Sequence, residues 1–417
     1  MVPESTPQTS TQPLDRASFQ VLAKPVGATC NLDCAYCYFL SKAALYPNSD
    51  QRMTGATLEG YLRNLLQSSP DGPVEIAWQG GEPTMRGLAF FRRAVELAEQ
   101  FKRPGQSLTY TIQTNGTLLD DEWGDFLDEN KFLVGVSIDG PADLHNEYRV
   151  NRAGRGTYDQ VLAGWRTLQR HGVEANVLCT VNRANQAHPL AVYRHFRDVL
   201  EARHLQFIPV VERVDAGRQG LPYRQTGNQV TSRSCTPQTW GAFLCSVFDE
   251  WVSQDVGSVF VQHFDMMLGN HFGQFSLCSH SPECGAALVV EHNGDIYSCD
   301  HYVEPDYLIG NVATRSLQES VQSAEQRQFG RQKWASLPNQ CLQCDVRWAC
   351  QGGCPKDRFA VTSAGEPGLN YLCPGYLEFF RHAAPSITRM GELLAQQRPA
   401  AEIMHETSLM PSNTLDG

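Results

Sequence analysis

Three cysteines stand in the run Cys30-Asn-Leu-Asp-Cys34-Ala-Tyr-Cys37. Their C-x3-C-x2-C spacing ties one short loop to a metal body, and the rest of the fold has to be built around that loop. Three thiolates on one loop can hold three irons of a 4Fe-4S cluster and leave the fourth iron open, whereas four cysteines close the cluster. An open metal position takes a small ligand, as catalytic metal sites do and structural ones do not. The spacing therefore points to chemistry at iron rather than plain electron carriage. A zinc site or buried thiols are the other readings, although zinc prefers four ligands in paired groups.

The chain carries 14 cysteines in 417 residues, and eight of them fall between Cys278 and Cys373. A disulfide framework would need an oxidising compartment. The start, MVPESTPQTSTQPLDR, lacks a basic segment followed by an apolar stretch, and no run is long enough to span a membrane. Cytoplasmic, metal-binding cysteines are the expectation. A net charge of -11 argues against a nucleic-acid surface, which would show a basic stripe.

From 19 to 235, short β-branched apolar runs alternate with amphipathic stretches, the pattern of βα units on a parallel sheet. Strands are expected over 19–23, 74–79, 108–113, 132–138, 175–181 and 205–211. Helices are expected over 53–66, 87–101, 120–130, 158–170 and 189–201. Six such units suit an α/β partial (β/α)6 barrel, whose chemistry gathers at the C-terminal strand ends. The expected organisation is a disordered tail over 1–18, the barrel over 19–235, a helical link over 236–277, a loop-rich cysteine domain over 278–373, and a C-terminal helix and tail over 374–417.

Polar and glycine-rich signatures follow the strands. Gln79-Gly80-Gly81-Glu82-Pro83 follows the second, and paired glycines let backbone approach a ligand closely. Asn115 follows the third strand, and Ser137-Ile-Asp139-Gly140-Pro141, then Arg149, follow the fourth. Taken alone, Gly80-Gly81 reads as a tight turn, and Ser137 and Asp139 as capping or turn residues. Together with the cysteine loop, the stretch resembles the radical S-adenosylmethionine enzymes. The resemblance implies an S-adenosylmethionine site built from Gly80, Gly81, Glu82, Pro83, Asn115, Ser137 and Arg149, on a cluster held by Cys30, Cys34 and Cys37.

Eight late cysteines are what two closed 4Fe-4S clusters need, although a zinc ribbon over Cys341 to Cys354 is also open on spacing alone. Cys341-x2-Cys344-x5-Cys350-x3-Cys354 resembles the SPASM extension of the same enzymes. That likeness implies one auxiliary cluster on Cys278, Cys284, Cys299 and Cys354, and another on Cys341, Cys344, Cys350 and Cys373. The remaining Cys179, Cys235 and Cys245 read as small buried hydrophobes.

The text around these cysteines, above all Tyr297-Ser-Cys299-Asp300-His301-Tyr302, Cys350-Gln-Gly-Gly-Cys354-Pro-Lys-Asp-Arg358 and Leu205-Gln-Phe-Ile-Pro-Val-Val-Glu212, is similar to the anaerobic sulfatase-maturating enzymes. Their chemistry would be oxidation of a Cys or Ser side chain in a sulfatase polypeptide to Cα-formylglycine, with Asp300 as the base. The implied partners are an unfolded or nascent sulfatase carrying Cys/Ser-x-Pro-x-Arg and an electron donor such as flavodoxin or ferredoxin, with no nucleic acid and no membrane. One departure stands in the cluster loop, which ends Tyr38-Phe39 where the family often has Phe-Tyr, so a hydroxyl from the second aromatic is in doubt. Two other classes stay open. A SPASM enzyme that cross-links or epimerises a ribosomal peptide often has an N-terminal recognition domain, for which the roughly 18 residues before the first strand are too few. An iron-sulfur electron-transfer protein would need no cofactor signatures at Gly80 or Ser137.

Overall fold

Six short runs of buried β-branched and aromatic residues form the strands β1 (Gln20–Ala23), β2 (Gly72–Trp78), β3 (Gln106–Thr114), β4 (Phe132–Ser137), β5 (Ala175–Val181) and β6 (His204–Pro209) in this computed structural model. They pair in chain order and all in parallel, as an open, partial (β/α)6 barrel requires. The structure describes residues 19–214 and 224–407. The tail expected over 1–18 lies outside the described residues.

The helices cover the sheet through apolar residues at three and four spacing. In Leu88–Phe101 the buried positions are Phe90, Phe91, Ala94, Leu97 and Ala98, and both phenylalanines meet Trp78 of β2 edge-on with ring centroids 5.6 Å apart. Burying side chains of this size is worth about 1.5–3 kcal/mol each, which fixes the helix over the strand. Thr54 caps Gly55–Ser68 by accepting from the Thr57 amide. The helix expected over 189–201 is α-helical over Pro189–Arg194 and then π-helical over His195–Val199. Ala142–Tyr148 is an additional helix. Seven residues make barely two turns, too few for an apolar period to register.

The sheet does not end with the barrel. Ala287–Val290 pairs in parallel with β1, Ala23 opposite Val290. Asp295–Tyr297 and Leu308–Asn311 follow antiparallel, and Phe260–Val261 adds to β6 at the other edge. The resulting ten-stranded sheet carries the chain from Tyr297 into Cys299 and Asp300 beside the end of β1. The C-terminal helix Cys373–Ala395 packs on Pro237–Gln254, with the Phe248 and Phe379 ring centroids 6.2 Å apart. No helix among the described residues is long and apolar enough to cross a membrane.

Candidate active site

Cys30, Cys34 and Cys37 lie half-buried on the loop that leaves β1. The segment after Ala142–Tyr148 straps this loop down. The Asp33 amide donates to Val150 O at 2.8 Å and the Ala35 amide to Tyr148 O at 3.0 Å, while the Arg152 guanidinium forks onto Cys30 O at 3.1 and 2.7 Å. Asn115 holds the other side, with Nδ2 donating to Asn31 Oδ1 at 2.9 Å and Oδ1 accepting from the Thr117 amide at 3.0 Å. Burial pushes the Cys30 thiol up to about 11 and the Cys34 thiol up to about 12. Metal ligation takes the thiolate, so binding iron must displace those protons.

The Gly80-Gly81 turn is packed against backbone. A Cβ on Gly81 would meet Thr29 O at 1.9 Å, and the Gly81 and Glu82 amides donate to Gly27 O and Thr29 O at 2.8 and 2.9 Å. Two loops thus lie against each other at a distance only glycine permits. The Glu82 side chain is engaged from within the protein. Its fully buried carboxylate accepts from the Thr84 amide at 3.1 Å, Thr84 Oγ1 at 2.5 Å, Thr114 Oγ1 at 2.7 Å and the Asn115 amide at 2.7 Å. Both oxygens are filled from within the protein, so Glu82 sets the position of Asn115 and of the glycine turn. Pro83, also buried, opens the short 3-10 turn Pro83–Arg86.

Ser137 and Arg149 face the same end of the sheet. The Ser137 side chain is buried and makes no hydrogen bond among the described residues. Asp139, fully buried, pairs with Arg149 Nε at 3.0 Å and accepts from the Thr180 amide at 2.9 Å and from the Tyr36 hydroxyl. Burial would lower the Arg149 pKa, but Asp139 outweighs it and holds the guanidinium charged well above its usual range. The contact to Asp139 lies off the Nε–H direction, so Nε has a counter-ion yet no hydrogen-bond acceptor. Tyr36 belongs to the cluster loop, and Arg149 lies 5.6 Å from its ring centroid. Asp139 therefore joins the cysteine loop to the arginine.

Asp300 is the meeting point of three segments. Lys24, 1% exposed at the end of β1, donates to Asp300 Oδ1 and to Gln79 Oε1 at 3.2 Å. Tyr38 of the cluster loop donates to Asp300 Oδ2 at 2.7 Å. Burial pushes the Asp300 carboxyl up, but Lys24 and the Tyr38 hydrogen bond outweigh it and hold the group below the usual carboxylate range. His301 adds to this only in acid, since burial takes its own pKa down to about 4. Burial, and then Asp300 itself, keep the Tyr38 phenol protonated far above its usual range, so it serves as a donor.

The late cysteines gather in two fours. Cys341, Cys344, Cys350 and Cys373 line one cavity of about 190 Å³ with Val346 and Gly352. Cys278 lies within electrostatic reach of Cys284, Cys299 and Cys354, and Cys299 within reach of Cys354. No three His, Cys, Asp or Glu among the described residues converge tightly enough to share a single metal ion. Cys179 and Cys235 are fully buried and Cys245 half-buried.

The chain matches the Radical SAM superfamily over residues 25–189 and the SPASM iron-sulfur cluster-binding domain over residues 278–345. It is 45% identical to the "Serine-type anaerobic sulfatase-maturating enzyme" of Bacteroides thetaiotaomicron over 92% of this chain and 94% of that one. The chain belongs to the anaerobic sulfatase-maturating enzymes. Across this family it is also 32% identical to the "Cysteine-type anaerobic sulfatase-maturating enzyme" of Clostridium perfringens, over 88% of this chain and 96% of that one. The solved structure "Native anSMEcpe with bound AdoMet and Cp18Cys peptide" superposes with a TM-score of 0.79 at 31% identity, over 90% of this chain and 99% of that chain.

Membership of the sulfatase-maturating family brings S-adenosylmethionine and three 4Fe-4S clusters as cofactors. The residues fit them: a cavity walled by four thiols, three more thiols on one strapped loop, and a buried serine without a side-chain hydrogen bond at the end of β4. Sequence reading missed Lys24, Tyr36 and Asp139, as well as the direct hydroxyl contact from Tyr38. Lys24 did leave a signal, since a lysine ending the apolar run Val21-Leu22-Ala23 can be buried only with a partner.

Proposed function

We propose that this chain oxidises a Cys or Ser side chain of an unfolded or nascent sulfatase polypeptide to Cα-formylglycine in the cytoplasm, at a Cys/Ser-x-Pro-x-Arg motif. The observation that carries the reading is Asp300, held ionised between Lys24 and Tyr38 and one residue beyond Cys299. Similarity to the serine-type relative supports serine among its targets.

Oxidising serine to the aldehyde removes one hydrogen atom from Cβ, one proton from the hydroxyl and one electron. Cys30, Cys34 and Cys37 would hold the open cluster, with Ser137, Arg149 and the Gly80-Gly81 backbone around S-adenosylmethionine. Cys278, Cys284, Cys299 and Cys354 would hold one auxiliary cluster, and Cys341, Cys344, Cys350 and Cys373 the other. When bound, these groups supply the radical that takes the Cβ hydrogen and the sink for the second electron. Asp300 receives the proton at the oxygen it shares with Tyr38 or Lys24, and Lys24 keeps the carboxylate ionised until then. A cysteine target follows the same course, after which water replaces its sulfur by oxygen and hydrogen sulfide leaves. The reducing electron comes from a flavodoxin- or ferredoxin-type donor.

The test is anaerobic incubation of the iron-loaded protein with paired Ser and Cys peptides of otherwise identical sequence. An aldehyde at the target residue is expected, and a cross-linked or epimerised peptide would favour the ribosomal-peptide class instead.

A further inference from the structure

The linker between Cys350 and Cys354 turns in an unusual way. Gln351, Gly352 and Gly353 all have left-handed backbone, with φ of 49°, 74° and 64°, a conformation that disfavours the non-glycine Gln351. Their three carbonyls converge on one side chain. Arg358 Nε donates to Gly352 O at 2.9 Å, and Nη2 donates to Gln351 O at 3.0 Å and to Gly353 O at 3.1 Å. Nη1 donates to Lys333 O.

The placement of this guanidinium follows from the ligand sets. Cys350 belongs to one four and Cys354 to the other, so the linker that Arg358 gathers is the covalent bridge between the two auxiliary sites. Its field reaches Cys341 and Cys350 on one side and Cys354 and Cys284 on the other. Lys333 is a second cation on the Cys278 side. It is 1% exposed, and its Nζ donates to Ser281 O, between Cys278 and Cys284 in the chain.

Neither Arg358 nor Lys333 forms an ion pair with a carboxylate among the described residues, and the neighbouring Asp357 is taken by Lys356 at 2.7 Å. Lys333 is buried and Arg358 half-buried, and holding cations away from water without counter-charge is costly. The thiolate-ligated clusters are the negative bodies able to compensate. Adding an electron to such a body deepens the compensation, so a fixed cation beside it favours the reduced state and raises the reduction potential.

We propose that Arg358 is a shared cationic strut of the two auxiliary clusters, fixing Cys350 relative to Cys354 and raising both reduction potentials so that the pair accepts the electron released in the oxidation. Lys333 adds to the effect at the Cys278 cluster. The proposal rests on the assignment of eight cysteines to two auxiliary clusters.

Anaerobic potentiometric titration of the holoenzyme, followed by electron paramagnetic resonance with iron counted in parallel, tests it. The signal that responds to S-adenosylmethionine marks the open cluster and serves as the internal reference. In Arg358→Gln, both auxiliary signals should show at least a tenfold fall in the equilibrium constant for one-electron reduction, a shift of about 59 mV to more negative potential. Iron content and the reference signal should be unchanged, and Arg358→Lys should recover most of the shift. Auxiliary potentials at the wild-type value in iron-replete Arg358→Gln would overturn the proposal. If Arg358→Gln sheds auxiliary iron, Lys333→Met decides, because the strut stays in place. A negative shift confined to one auxiliary signal supports the charge effect, and no shift overturns it. Absence of auxiliary signals from the wild-type protein would instead overturn the cluster assignment beneath it.

Discussion

Tyr38 donates a 2.7 Å hydrogen bond to Asp300 Oδ2, so the hydroxyl that reaches this carboxylate comes from the first of the two aromatics after Cys37. The second, Phe39, instead lays its ring 4.0 Å from Lys24 Nζ. The Tyr-Phe order thus keeps a hydroxyl on Asp300 while giving its partner Lys24 an apolar face. Tyr38→Phe should lower formylglycine formation by about ten- to a hundredfold, the worth of a hydrogen bond to a charged group. Iron content and S-adenosylmethionine cleavage should stay unchanged, checked by iron assay and by deoxyadenosine chromatography.

Asp300→Asn should lower aldehyde formation by a factor on the order of 100 or more while deoxyadenosine still forms, since an amide cannot take the proton. The buried Lys24 makes this variant costly in another way. Removing one partner of a buried pair leaves an uncompensated charge and costs about 3–5 kcal/mol. Lys24→Met combined with Asp300→Asn should therefore recover much of the lost stability in urea unfolding and none of the aldehyde.

Arg149→Ala and Ser137→Ala should weaken S-adenosylmethionine binding by about one to two decades with iron retained. Asp139→Asn should do the same at second hand, because it releases both Arg149 and Tyr36. Equilibrium binding under anaerobic conditions measures all three. Normal binding in all of them would make Ser137 and Arg149 structural.

His145 supplies a pH dependence of stability. Its Nδ1 accepts from the Asp139 amide at 3.3 Å and its Nε2 meets Thr157 Oγ1 at 3.2 Å. Burial, and then the Arg149 charge, depress its pKa well below the usual histidine value. The folded chain therefore keeps His145 neutral while the unfolded chain takes up a proton below about pH 6.5. Stability should be full above that pH and fall as pH drops through it, by up to about 1.4 kcal/mol per pH unit from this residue. Urea midpoints at mildly alkaline and mildly acid pH should differ less in His145→Asn than in the wild type.

The barrel was legible because each strand is a short β-branched run, each helix has a clear apolar face, and each polar signature follows a strand. The cysteine loop at Cys30, Cys34 and Cys37 was legible as spacing, whereas the division of the late eight came only from the resemblance. The links between distant segments were not. Lys24 and Asp300 are separated by 276 positions, and they meet because Ala287–Val290 pairs with β1, a pairing no local pattern announces. Asp139 read as a turn residue because its neighbours are Gly140 and Pro141, and its ion pair to Arg149 depends on the seven-residue helix Ala142–Tyr148. Glu82 stood in a cofactor motif, yet its carboxylate is consumed by Thr84, Thr114 and Asn115; a motif gives a position in space, and the hydrogen bonds around it decide which atoms face the ligand.

The most direct test of formylglycine formation uses a serine peptide deuterated at Cβ, incubated anaerobically with iron-loaded protein, reductant and S-adenosylmethionine. Deuterium should appear in deoxyadenosine in step with aldehyde in the peptide, and both should vanish when Cys30, Cys34 and Cys37 are replaced together by alanine. Deoxyadenosine that carries no deuterium, or a peptide that returns with its serine intact, would contradict the account.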